Sequence, residues 1–249
     1  MLAWGSRRRL LYLGSAAVVL FMLSVWAYLT YFNTPPTCFD GRQNGLEAGV
    51  DCGGSCSLLC SDAVHQPNPL WWRAFQVASS TYTAVTYVEN SNVGAGARHV
   101  HYVFQLLNKD NQLVAERDGV TDLPPVQTIP IVETGIDVGY NKDLHVFFGF
   151  SGPIQWNKIF AADLPSLTLG KESLSSDGTR LTATISNDSF VDANKLTVLA
   201  VLFDQRDNAL AASKSVLNVA AKSSSPVIFT WPQPILGVSH AEITMLPSF

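Results

Sequence analysis

Residues 84–132 of this 249-residue chain, moved forward by 97 positions, fall on residues 181–229 without a gap. Val88 then meets Ile185, Asn90 meets Asn187, Phe104 meets Val201, Asp110-Asn111 meets Asp207-Asn208, and Ile131 meets Ile228. A repeat of this length is a domain, not a solenoid unit, so the chain should carry one fold twice. Each copy reads as β-structure. Tyr82–Val88 and Leu181–Ile185 are rich in β-branched and aromatic residues, and each runs into a polar corner, Glu89-Asn90-Ser91-Asn92 and Ser186-Asn187-Asp188-Ser189. Longer apolar runs follow, Val100–Leu107 and Leu196–Phe203, then Asp/Asn-rich turns and further short strands. Strands and turns without a sustained 3.6-residue period predict two tandem immunoglobulin-like or fibronectin-III-like β-sandwiches, over 68–164 and 165–249. Neither copy contains cysteine, so both cores must rest on apolar packing. The linker, residues 161–165, is short and predicts a restrained pair.

Ahead of the copies, Arg7-Arg8-Arg9 precedes an uncharged apolar run of 23 residues, Leu10–Phe32. About 20 helical residues cross a bilayer's hydrocarbon core, and basic residues stay on the cytoplasmic side. The expected topology is a cytoplasmic stub (1–9), a transmembrane helix in the lipid bilayer (10–32), and an exported remainder. Trp4 and Tyr12 near one end, and Trp26, Tyr28, Tyr31 and Phe32 near the other, fit the aromatic belts of a membrane span. The competing reading is a signal peptide cut after Val25-Trp26-Ala27. The length of the run and the bulk of Trp26 and Tyr28 favour a retained anchor. The stub is too short to fold, so no inward signalling domain is expected there.

Without the three arginines, 13 basic residues face 20 acidic ones. No basic stripe remains, so nucleic acid is a poor partner.

All four cysteines, Cys38, Cys52, Cys56 and Cys60, fall in a stalk over 33–67. The segment is dense in turn formers, such as Asp40-Gly41, Asn44-Gly45 and Gly53-Gly54. A segment this small cannot bury a core and needs covalent staples or a metal. The gaps of 13, 3 and 3 residues do not match the paired C-x2-C of zinc ribbons, and an exported location permits disulfides. Two disulfides are expected, with three pairings open. Asp40, Asn44, Glu47 and Asp51 are oxygen ligands that could hold calcium, although their spacing is not that of an EF-hand. The plainer reading is that they bond their own turns.

The string Cys-x-Asp-Gly-x-Gln-Asn-Gly-x-Glu-x-Gly-x-Asp-Cys-Gly-Gly-x-Cys-x3-Cys resembles a short motif of bacterial surface proteins. Asn187 with Ser189, Leu199–Asp204 and Ala209-Leu210-Ala211 resemble the FxLYD-type extracytoplasmic domain of bacteria, without the signature tyrosine after Phe203. Val88–Asn92, Tyr102 and Leu113-Val114-Ala115 resemble the water-stress domain of late-embryogenesis-abundant proteins. Anchor, motif and paired sandwiches in this order resemble a bacterial family of single-pass membrane proteins. The resemblance implies sandwich folds without enzymatic activity.

No Gly-x-Ser-x-Gly elbow, P-loop or dinucleotide-binding turn occurs, so no enzyme is expected. His99 and His101 alternate but lack a third ligand, while His65, His145 and His240 are scattered. Trp71 and Trp72 must point to opposite faces of a strand, so only one can enter a given core. Trp71 and Trp72 are together a candidate contact surface, with one of them expected to cover the cysteine module or the domain junction. The functional expectation is a non-catalytic envelope module that contacts an envelope protein or a surface polymer. The alternative is a calcium or small-ligand sensor using the Asp40–Asp51 loop.

Overall fold

A computed structural model describes residues 4–32, 35–141, 143–159 and 164–248; most of the expected linker, at 161–163, lies outside them. The apolar run forms one helix, α1 (Trp4–Phe32). Its hydroxyls turn back onto the helix: Ser24 Oγ donates to Leu20 O at 2.8 Å and Thr30 Oγ1 to Trp26 O at 2.8 Å. These two hydroxyls then need no water, which suits an apolar surround. Arg7–Tyr31 is long and apolar enough to cross a membrane, and none of it is buried against protein. A helix that is apolar on every side needs an apolar surround.

The chain divides into two bodies, residues 1–56 and residues 57–249. The second is mainly antiparallel β. One sandwich pairs the sheet β1 (Asn68–Gln76), β2 (Thr81–Asn90) and β5 (Gln127–Asp137) with a sheet of β4 (Leu113–Leu123), β3 (Ala95–Leu107) and β6 (His145–Phe150). A short β7 (Trp156–Lys158) pairs with the start of β3. The other sandwich has β13 (Ser223–Thr230), β10 (Arg180–Asn187) and β8 (Leu167–Leu169), with β9 (Ser173–Leu174) also on β10. Its second sheet is β12 (Ala209–Val219), β11 (Ala193–Phe203) and β14 (His240–Leu246). The strand prolines Pro69, Pro130 and Pro226 all lie on the edge strands β1, β5 and β13, where a missing N–H breaks no ladder.

The duplication is real in three dimensions, but its register differs from the gap-free offset. Asn90 and Asn187 are equivalent at 97 residues. From β3 to β5 the displacement is 96: Tyr102 pairs with Gly119 and Val198 with Ser215, while Leu107 pairs with Leu113 and Phe203 with Ala209. At β6 it is 95, for Leu107 faces His145 where Phe203 faces His240. The β10–β11 corner is one residue shorter than the β2–β3 corner. The slip matters because one residue moves a side chain to the opposite face of a strand. Phe104 therefore corresponds to Ala200, not Val201, and His99 and His101 to the solvent-facing Lys195 and the half-buried Thr197, not Leu196 and Val198.

The two sandwiches share a core. β2 is buried from Tyr82 to Val88, and β11 from Val198 to Phe203, on both faces. Leu196, Val198, Ala200 and Leu202 fill the second sandwich. Leu199, Val201, Phe203, Ala209, Ala212 and Leu246 join the core of the first. The β1-β2-β5 sheet thus lies against the β12-β11-β14 sheet. Some equivalent positions on the two outer sheets are polar: Gln105 and Glu116 where the interface has Val201 and Ala212, and Thr182 and Thr184 where it has Val85 and Tyr87. Others stay apolar and partly exposed, such as Val120 and Ile228.

Candidate functional site

In the cysteine loop, Cys38 and Cys56 are joined with Cα atoms 5.7 Å apart. Cys52 and Cys60 are also disulfide-bonded, and no free thiol remains among the described residues. Glu47 lies beside Cys38 and Cys56, but bridged sulfurs are not thiolates and leave no zinc ligand set there. The structure brings Asp40, Asn44, Glu47 and Asp51 together through the loop's own hydrogen bonds. Asp51 accepts the N–H groups of Asp40 and Gly41, the latter at 2.9 Å. Glu47 Oε2 accepts those of Asn44 and Asp51 at 3.2 and 3.3 Å. Asp40 takes the Arg42 N–H and, at 2.7 Å, the Asn44 amide. The Asn44 bond leads the effects that hold the Asp40 carboxyl below the usual carboxylate range. Gly54 is required because a Cβ would overlap the Leu46 carbonyl. These acids serve as turn supports; a cation would have to share their oxygens with backbone donors.

The second body starts with a strap. Leu59 N donates to Trp156 O and Lys158 N to Ser57 O, both at 2.8 Å. Further on, Asn92 clamps the His65 backbone with two 2.7 Å bonds. The chain from Ser57 to His65 is therefore built onto the first sandwich.

Trp71 and Trp72 take opposite faces of β1. Trp71 stacks on Tyr87 at 4.9 Å, and Tyr87 meets the edge of Phe203 at 6.2 Å, so Trp71 sits at the junction of the sandwiches. Arg73, on the same face, donates to Asn208 Oδ1 at 3.4 Å. Trp72 is 38% exposed and touches Phe147, itself 47% exposed, at 5.9 Å. The two tryptophans do not form one contact surface.

Two part-buried polar clusters at the junction have no sequence motif. Tyr87 OH donates to Glu242 Oε2 at 2.7 Å. Tyr102 OH donates to Glu133 Oε1 at 2.7 Å, and Lys214 Nζ meets the same oxygen at 3.0 Å. Burial, then the neighbouring carboxylate, pushes both phenols well above their ordinary pKa, so they remain donors. The unbroken apolar run Val198–Phe203 was the available signal, since a half-buried strand would alternate. Beside the Lys214 link, a cleft of about 250 Å³ lies between the sandwiches, with His99, Lys195, Ile131 and Leu246 in its walls.

The scattered histidines prove paired by the duplication. His145 Nε2 lies 2.9 Å from Asn111 Oδ1, and His240 Nε2 lies 3.9 Å from Asp207 Oδ1. Both cap the β3–β4 or β11–β12 turn. His240 also stacks on Phe203 at 5.2 Å.

No protein-family model matches the chain, and no curated protein does. Among solved structures it is similar to the crystal structure of red sea bream transglutaminase, at 13% identity and a TM-score of 0.24. The match covers 74% of this chain and 31% of that one, so the chain spans about a third of its length. That likeness carries no functional argument.

Proposed function

We propose that this protein is a non-catalytic structural or interaction module of the cell envelope, anchored once in the membrane. In this reading α1 crosses the bilayer with residues 1–9 in the cytoplasm and the C-terminus outside. The immunoglobulin-like pair is then presented to another envelope protein or to a surface polymer. The observation that carries the reading is the core shared by the two sandwiches. Separate binding beads would keep polar surfaces toward each other, whereas here Tyr87, Leu199, Val201 and Phe203 are buried between them. Interfaces of this apolar kind suppress relative domain motion. A stiff body of fixed length on a membrane tether suits spacing and contact. The arginines before α1 and the oxidised cysteines support the outward orientation.

A membrane-impermeant amine reagent applied to intact cells tests the topology. The exposed Lys109, Lys171 and Lys222 should be labelled before lysis. Labelling only after lysis would overturn it. Crosslinking in the same cells should capture an envelope component; turnover of a substrate by the purified chain would replace the non-catalytic reading.

A further inference from the structure

In the cysteine loop the carboxylates are engaged by the loop's own backbone, while large apolar side chains are left uncovered. Asp40, Glu47 and Asp51 are occupied by the loop's own N–H groups, while Phe39 is 88% and Leu46 79% exposed. The loop itself offers nothing to cover Phe39 and Leu46. Its position names what could. Only five residues separate the end of α1 from Cys38, so at about 3.3–3.6 Å per residue the loop stays within roughly 20 Å of the helix end. The structure holds it closer: Asp40 and Arg42 line one groove with Thr30 and Tyr31 of the last helical turns and with Pro35. A Cβ at Gly45, beside Leu46, would lie 3.0 Å from the Pro36 Cβ, which places that turn against the same prolines.

We infer that the loop lies on the outer headgroup layer of the bilayer that α1 crosses, with Phe39 and Leu46 inserted at the boundary with the acyl chains. The inference rests on the spanning reading of α1. Aromatic and apolar side chains settle at this depth, and the Arg42 guanidinium is placed to meet lipid phosphates.

The test uses the full chain in phosphatidylcholine vesicles. Trifluoromethyl-phenylalanine replaces, in separate samples, Phe39, Leu46, Phe21 in mid-helix or Phe190 on the second sandwich. Mass analysis confirms that all four cysteines remain oxidised. Fluorine signals are recorded with a nitroxide lipid and with an aqueous gadolinium chelate. Signals at 39 and 46 should be lost to the nitroxide, as at 21, and should resist the chelate that broadens 190. If 21 responds to the lipid probe while 39 and 46 behave like 190, lipid docking is overturned and the anchor stands. If 21 itself responds to the chelate, the spanning reading fails and the inference with it.

Discussion

Asn90 and Asn187 are each 1% exposed and do the same work in both sandwiches. The Asn187 amide donates to Val191 O at 2.8 Å and Val219 O at 3.1 Å, and its oxygen accepts the Ser189 N–H. A single side chain thus satisfies two carbonyls at the corner between the sheets. Its buried position leaves no room for a glycan, although Asn187-Asp188-Ser189 has the form of an acceptor site. Asn187→Ala should destabilise the protein by about 2–4 kcal/mol in urea titrations, since buried carbonyls lose their donors. Gly119 has an equally specific reason. It lies opposite Tyr102, whose ring occupies the space a Cβ would need. The second sandwich solves the same pair as Val198 and Ser215. Gly119→Ser alone should therefore destabilise, and Tyr102→Val with Gly119→Ser should cost less than the two singles together. A double-mutant cycle should return a coupling of about 1 kcal/mol or more.

At the scale of elements, equivalent turns use different chemistry. Asn108 accepts the N–H groups of Asp110 and Gln112 between β3 and β4, and Asp204 accepts those of Arg206 and Asn208 between β11 and β12. Asn111 and Asp207 take the left-handed backbone at the same place in each. The aspartate version is pH-dependent, for the Asn208 bond holds the Asp204 carboxyl below its ordinary range. The β9–β10 turn shows the effect more strongly. Bonds from the Ser175 hydroxyl, and then from Thr179, lower the Asp177 pKa from 3.8 to about 2. A depressed folded-state pKa stabilises above the unfolded value, and that contribution is lost as pH falls through the folded one. Thermal midpoints should decline between about pH 3.8 and pH 2, and Asp177→Asn should flatten that decline by keeping an acceptor that does not titrate. An unchanged profile would remove this turn from the acid response.

For the whole molecule, the decisive feature is that the central strand of one sheet in each sandwich, β2 and β11, is buried on both faces. The interface joins different sheets of the two copies, a head-to-tail contact that could in principle continue. On the outer sheets Gln105, Glu116, Thr182 and Thr184 stand at equivalent positions and make those faces more polar than the junction. Coupling through a shared core predicts one cooperative unfolding transition for both sandwiches in calorimetry. Phe203→Ala should shift that single transition downward by about 3–5 kcal/mol of stability, the usual range for a buried aromatic. Two separated transitions in the parent chain would show that the sandwiches are independent.

From the sequence alone follow the features set by local chemistry. An uncharged apolar run forms one helix, four cysteines in a glycine-rich loop are oxidised, and a domain-length self-match is a fold made twice. The register of that match was misread by one residue from β3 onward, because similar residues align as well at 97 as at 96 and only hydrogen-bond pairing separates the faces. The tertiary structure also decided where the second face of β11 goes. Apolar residues record that a surface is buried without naming the surface that covers it. Phe203 meeting Tyr87, Tyr102 reaching Glu133 and Lys214, and Trp71 parting from Trp72 all depend on groups distant in sequence, brought together only by the docking of two sheets.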